Sequence, residues 1–321
     1  MIATFISASR SPPKTEPGSL NFELFDSGSG RQDGEARRKS IEDRFKHHGI
    51  KAKFVAFEPN SDLAKFAKDT ARNAPNTAII AAGGDGTICG VAAGLRGQPN
   101  QMGIIPSGTF NYFARSLNIP ETVDEAVDVI AAGLTRDTDI GMINDRVFLN
   151  NASIGAYPAI LQTREGVYEK WGRSRIAAYW SVAKALARFR SPLKLNITVD
   201  GKSFKHRTSL VFAITNAFQL REMGLNGEEC IENGGMVLLI APDTNRWKLL
   251  KHAASLALGI AKPETDYEMH CGNDIDLDLR SQARPVACDG ELSRMKGPFK
   301  LRMQRKALTL IVPAGSETAV R

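Results

Sequence analysis

Cysteine is scarce in this chain. Four residues (Cys89, Cys230, Cys271, Cys288) are spread over 321 positions, with no CxxC pair and no histidine at metal-ligand spacing. That pattern argues against structural zinc and predicts four reduced thiols, as in a cytoplasmic protein. Long apolar runs are missing too, since none approaches the roughly 18–20 residues that a bilayer-spanning helix requires. The opening MIATFIS is too short for a signal-peptide core, and it has neither a basic start nor a convincing cleavage site. The five histidines form no HExxH; His47 and His48 sit in a polar helix end. Biased tracts and internal repeats are also lacking. What remains is a globular composition, 42% hydrophobic and 24% charged, in a chain long enough for two domains. The net charge of +7 favours an anionic partner: nucleic acid, a phosphate-bearing substrate, or an acidic membrane surface.

The first part of the chain alternates helix and strand patterns. Residues 61–73 carry Ser61 as expected N-cap and Leu63, Phe66, Ala67 and Ala71 on one face. Ala78–Ala82 and Met102–Ile105 read as short buried strands, and 121–133 as an amphipathic helix ended by Gly133. Such alternation predicts a doubly wound α/β domain with a parallel sheet. After about residue 134 the texture becomes antiparallel β, with hairpin signals at Asn144-Asp145 and Asp200-Gly201. A helical insert is expected around 157–190 and a second helix near 245–260. The predicted domains are 1–134, completed by a returning segment 306–321, and 135–305.

Two glycine turns carry the first chemical signal. Gly83-Gly84-Asp85-Gly86-Thr87 follows a buried strand and opens a helix, where bare backbone lets N–H groups approach a phosphate. Thr87 adds a hydroxyl, and Asp85 is a candidate Mg²⁺ ligand. A glycine turn that merely closes a βα unit is the bland alternative. Pro106-Ser107-Gly108-Thr109-Phe110-Asn111 is a second strand-to-helix turn. Two such loops at the carboxyl ends of neighbouring parallel strands predict one ligand crevice.

These loops, followed by Tyr112-Phe113-Ala114-Arg115, then Asn150-Asn151-Ala152-Ser153-Ile154-Gly155 and a late Asp289-Gly290-Glu291, resemble the diacylglycerol kinase catalytic family, which includes bacterial lipid kinases, sphingosine kinases and ceramide kinases. GGDGT alone is shared with NAD kinases and phosphofructokinases; the PxGTxNxFAR continuation separates the lipid kinases. The resemblance implies an N-terminal nucleotide-binding α/β domain, a C-terminal antiparallel β-sandwich facing it across a cleft, and a last strand, Ala307–Val312, that returns to the first domain. It implies an ATP- and Mg²⁺-dependent lipid kinase acting on the hydroxyl of a diacylglycerol-like or sphingoid lipid. Gly83, Gly84, Asp85, Gly86 and Thr87 match the nucleotide loop, and Gly108, Thr109 and Asn111 lie in the second one. Asp289 matches the general base, with Glu291 supporting it or binding Mg²⁺ through water.

A primary alcohol is a poor nucleophile, so a carboxylate that accepts its proton assists attack on phosphorus. By itself, Asp289-Gly290 reads most simply as a hairpin turn. The chain also departs from the family pattern. The NPxSG loop is replaced by Asp26-Ser27-Gly28-Ser29-Gly30, and Asn-Glu after GGDGT by Cys89-Gly90. Tyr112 stands where NDFAR has its acid, and Asn233 where a DGxL turn holds a structural Mg²⁺ in several relatives. Residues 157–194 interleave basic residues such as Arg164, Arg173, Arg175, Arg188 and Lys194 with Tyr168, Trp171 and Trp180. They are a candidate surface for an anionic membrane or a solvated helix face. No nucleic-acid motif is present. The expected location is cytoplasmic, peripheral to the inner face of the membrane. A NAD kinase-like enzyme and a non-catalytic lipid- or nucleotide-binding relative are the alternatives.

Overall fold

The computed structural model describes residues 7–9, 21–26, 31–54, 62–75, 77–159, 161, 192–243, 248, 267–279 and 283–316. The insert expected around 157–190 and the helix near 245–260 lie almost wholly outside them, as do Ser61 and residues 27–30. The chain divides into two units, Met1–Ile140 with Arg305–Arg321, and Gly141–Gln304. The first division falls inside a strand, Thr135–Ile143, whose start coincides with the change of residue pattern at 134.

In chain order the first unit holds β1 (Ser7–Ser9), β2 (Asn21–Asp26), α1 (Arg31–His47), β3 (Lys51–Phe54), α2 (Leu63–Asn73), β4 (Thr77–Gly83), α3 (Asp85–Leu95), β5 (Gln101–Pro106), α4 (Tyr112–Ser116), α5 (Val123–Ala132) and the start of β6 (Thr135–Ile143). The second holds β7 (Arg146–Phe148), β8 (Asn151–Gly155), β9 (Leu193–Val199), β10 (Lys202–Thr208), β11 (Leu210–Ile214), α6 (Ala217–Glu222), α7 (Glu228–Glu232), β12 (Met236–Ile240), β13 (Glu268–Gly272), β14 (Asp274–Asp278), β15 (Arg284–Cys288), β16 (Glu291–Met295) and the start of β17 (Phe299–Ile311).

In the first unit β3, β2, β4 and β5 pair in parallel, and the end of β17 adds in parallel to β5 through Thr309↔Gln101 and Leu310↔Met102. The apolar run of β4 is buried along its whole length, as a central strand of a parallel sheet should be. Asp62 caps α2 by accepting from the Lys65 N–H, one position after the expected Ser61. Thr122 caps α5, and Gly133 ends it in the left-handed region at φ 66°. The α5 face that packs inward is Ala126, Val127 and Ile130. On its exposed side Asp128 takes both arms of Arg44 at 2.8 and 2.6 Å and His48 at 2.6 Å. The Arg44 hydrogen bond, then that of His48, pull the Asp128 carboxyl down to about 2.

Helices α2 and α3 touch through glycine. A Cβ at Gly90 would lie 2.7 Å from Leu63 Cδ2, and one at Gly94 would lie 2.4 Å from the Ala64 carbonyl oxygen. A side chain at 90 would have to push the Leu63 side chain of α2 aside, whereas one at 94 meets α2 backbone. Gly94→Ala is a sharp test. Alanine gains about 1 kcal/mol of helix propensity, but here it must displace backbone, and overpacking costs about 1–3 kcal/mol. A lowered urea midpoint is expected; an unchanged or raised midpoint would show that α2 yields without cost.

The second unit is a sandwich. One antiparallel layer runs β10-β9-β14-β17 and the other β13-β12-β11-β8-β15-β16. Strict alternation in β9 sends Leu193, Leu195, Ile197 and Val199 inward, where they meet Ile275, Leu277 and Phe299 from the same layer and Ile154, Val211, Leu238 and Val286 from the other. Two-residue hairpins join β9 to β10 and β15 to β16, with positive φ at Asp200 (45°), Gly201 (84°), Asp289 (48°) and Gly290 (83°).

The four thiols expected from the sequence are not all free. Cys230 of α7 and Cys271 of β13 form a disulfide. The pairing follows from the strand order: the Asn233–Gly235 turn leads α7 into β12, and β12 brings Cys271 alongside through the register Val237↔Cys271. Cys89 and Cys288 remain as thiols. Burial pushes the Cys288 thiol up to about 12, which keeps it protonated and unreactive.

Candidate active site

In the first unit the two glycine turns interlock backbone against backbone. A Cβ at Gly108 would lie 2.6 Å from Gly84 Cα and 2.8 Å from Asn111 Oδ1, and one at Gly84 would lie 3.2 Å from Gly108 Cα. The sheet pairing Gly83↔Pro106 runs directly into this contact, and Ser107 N–H donates to the Gly83 carbonyl at 2.9 Å. Asn111, buried and left-handed at φ 50°, accepts from Gly108 N–H at 2.8 Å and returns its amide to the Gly108 carbonyl at 3.1 Å. Gly84 is the N-cap of α3, and no side chain caps that helix end. Gly86 and Thr87 stand in its first turn, so their N–H groups belong to the uncapped end of the helix, a natural phosphate site. Thr109 is exposed beside Phe110, a half-exposed ring that stacks on Tyr112 at 5.4 Å.

Asp85, the candidate Mg²⁺ ligand of the first glycine turn, has backbone partners instead. It is half-buried at the first position of α3, and its carboxylate accepts from the N–H groups of Tyr112 (3.3 Å) and Phe113 (3.2 Å). It thus caps α4 and ties the second glycine turn to the first. Both Asp85 oxygens serve backbone donors, and no group of three metal-ligating side chains occurs among the described residues. Asn233, at the end of α7, adds a neutral side chain where a carboxylate would be needed.

In the second unit Asp289 occupies the first position of the β15–β16 hairpin. Its carboxylate receives three backbone donors, Leu149 N–H at 2.7 Å, Asn150 N–H at 2.8 Å and Asn151 N–H at 2.9 Å, while its own N–H donates to the Asn151 carbonyl at 2.9 Å. The turn between β7 and β8 is therefore wrapped around this carboxylate. The same turn is held from the other side by a polar set that sequence reading passed over. Thr215 Oγ1 donates to the Leu149 carbonyl at 2.8 Å, Asn216 to Asn150 Oδ1 at 2.6 Å, and Asn151 to Gln219 Oε1 at 3.1 Å. The available signal was Thr-Asn breaking the apolar run of β11 before a short helix. Glu291, two residues beyond Asp289, is mostly exposed and pairs with Arg146 at 2.9 Å.

The Diacylglycerol kinase catalytic domain family model matches residues 23–143. A diacylglycerol kinase of Bacillus subtilis (strain 168) is 30% identical over 246 residues, covering 73% of this chain and 77% of that protein. The chain belongs to the diacylglycerol kinase catalytic-domain family. A diacylglycerol kinase of Staphylococcus haemolyticus is 33% identical over 199 residues, 59% of this chain and 58% of the relative. A crystal structure of a diacylglycerol kinase from Bacillus anthracis (strain Sterne) has the same fold, with a TM-score of 0.65, 19% identity and coverage of 91% and 96%.

Membership in the diacylglycerol kinase family makes this chain a lipid kinase, which transfers phosphate to a hydroxyl and uses ATP as the family does. It separates the chain from the NAD kinases that share its first glycine loop. No helix among the described residues is long and apolar enough to cross a membrane.

Proposed function

We propose that the chain phosphorylates the primary hydroxyl of a diacylglycerol, with ceramide and sphingosine as the lesser alternatives. The observation that carries the nucleotide half is the uncapped start of α3, held open by the Gly84–Gly108 contact. Its N–H groups stabilise charge on the phosphates, and ATP enters with its own Mg²⁺, so the ion is brought by the substrate rather than held by a carboxylate cluster. Gly83, Gly84, Gly86, Thr87, Gly108 and Thr109 shape the loops; Asp85 and Asn111 position them.

Asp289 is the general base of this reading. Three N–H donors fix the direction of its carboxylate and stabilise its charge. Proton transfer then belongs to the transition state. As the hydroxyl oxygen bonds to the γ-phosphorus and the bond to the β-bridging oxygen breaks, the alcohol proton becomes acidic and passes to Asp289. Glu291, paired with Arg146, supports the hairpin rather than taking the proton. The place of work is an acidic membrane surface, consistent with the net charge of +7.

The test is a radiolabelled-ATP assay with diacylglycerol, ceramide and sphingosine in mixed micelles, alongside NAD. Label is expected in the organic phase with diacylglycerol at the highest kcat/KM. A higher kcat/KM on a sphingoid lipid would overturn the substrate assignment, and label in NAD alone would overturn the lipid reading.

A further inference from the structure

The outer face of the β9–β10 hairpin carries an arrangement that folding alone does not favour. In the register of that pair Lys194 stands directly opposite Arg207, and Asn196 opposite Lys205. Since side chains alternate along strands, Lys194, Asn196, Lys205 and Arg207 share one face, away from the core that Leu193 and Leu195 fill. Like charges directly opposite across a pair destabilise it. Beside them Arg284 opens β15 with a buried Nε that finds no partner among the described residues. These side chains line a groove of about 770 Å³, whose single carboxylate is Asp278.

The neighbouring part of the same layer shows how this chain neutralises cations elsewhere. Arg302 sits between Asp274 (3.3 Å) and Asp276 (2.6 Å). Among the groove residues Arg207 is matched by Asp243 at 3.3 Å and His206 by Glu268 at 3.3 Å. Lys194, Lys205 and Arg284 have no ion pair among the described residues. Cations facing each other on β9 and β10, with a guanidinium N–H left unpaired nearby, suit a phosphoester oxyanion.

We propose that this groove binds the phosphoester headgroup of an acidic phospholipid, so that the second unit carries a lipid site separate from the Asp289 hairpin. It rests on the lipid-kinase reading for the surface on which the chain works, but its test is independent of turnover.

The probes are phosphatidylcholine vesicles with and without added phosphatidylglycerol, which supplies the acidic surface, and inorganic phosphate. Full-length protein, the Lys194→Gln/Lys205→Gln double variant, the Arg284→Gln variant and a Lys202→Gln control are compared by co-sedimentation. Lys202 is an exposed cation of the same hairpin that does not line the groove. At about one decade or less per basic residue near an acidic surface, the double variant should bind acidic vesicles about thirtyfold more weakly. Arg284→Gln should weaken binding too, and Lys202→Gln much less. Phosphorylation of a monomerically dispersed short-chain diacylglycerol should stay unchanged in the double variant. Equal losses for Lys202→Gln and the double variant would reduce the effect to diffuse charge and overturn the site. Binding of inorganic phosphate without acidic vesicles would overturn the lipid source. An enzyme inactive on every lipid, yet with groove-dependent vesicle binding, would sink the substrate reading and leave the groove standing.

Discussion

Asp289→Asn is expected to lower phosphoryl transfer to lipid by roughly 10²–10⁴-fold, the usual contribution of a positioned acid–base group. The backbone should tolerate the change. Residue 289 has φ 48° and precedes Gly290, and Asn-Gly is the most favoured pair for such a hairpin. The carboxylate's partners should not. Asparagine turns one oxygen into an NH₂ donor facing the N–H groups of residues 149–151, which lose at least one charge-assisted hydrogen bond. A stability loss of about 1–3 kcal/mol follows from leaving such groups unsatisfied. Turnover per folded molecule must therefore be measured beside the urea midpoint, with ATP affinity, which the proposed reading assigns to the first unit, as a third readout. A lower midpoint with the rate within a few-fold of normal would assign Asp289 to the turn alone. Glu291→Gln should cost far less on both counts, because its ion pair with Arg146 is exposed.

Reduction of Cys230–Cys271 is expected to be the largest single loss of stability. The bond closes a separation of 41 residues, and the chain-entropy relation gives about 4 kcal/mol for a loop of that length. Urea unfolding with and without reductant should show a drop of that order, and Cys230→Ser should sit at the reduced midpoint in both conditions. Thiol titration in denaturant should find two groups in untreated protein and all four cysteines after reduction. Four thiols before reduction, with midpoints indifferent to reductant, would contradict the crosslink.

What could be read from the sequence was mostly local. Asp200-Gly201 and Asp289-Gly290 announced their hairpins because a two-residue turn depends on adjacent residues, and the apolar run of β4 announced a central strand for the same reason. The backbone partners of Asp85, the N–H groups of Tyr112 and Phe113, were not legible because they lie 27 and 28 positions away. No periodicity connects a carboxylate to the N–H groups of a later helix. The disulfide was hidden by the same distance. For Asp289, proton chemistry was suggested by the residues around it, whereas its grip on 149–151, 138–140 positions upstream, appears only once β15 lies beside β8. The groove cations were visible singly, but their confrontation needed the register of β9 against β10.

Strand β17 sets the order in which this protein can be completed. Its last residues, from Arg305 on, cover the edge of β5, yet they are made some 200 residues later, since Thr309 meets Gln101. During synthesis at about 5–20 residues per second, the whole sandwich emerges while β5 still shows a bare row of N–H and carbonyl groups. An uncovered strand of that kind recruits other strands. The nascent first unit is thus a client for holding until β17 is made. Truncations that spare both glycine loops, but remove residues 305–316, should yield aggregates rather than a smaller nucleotide-binding protein.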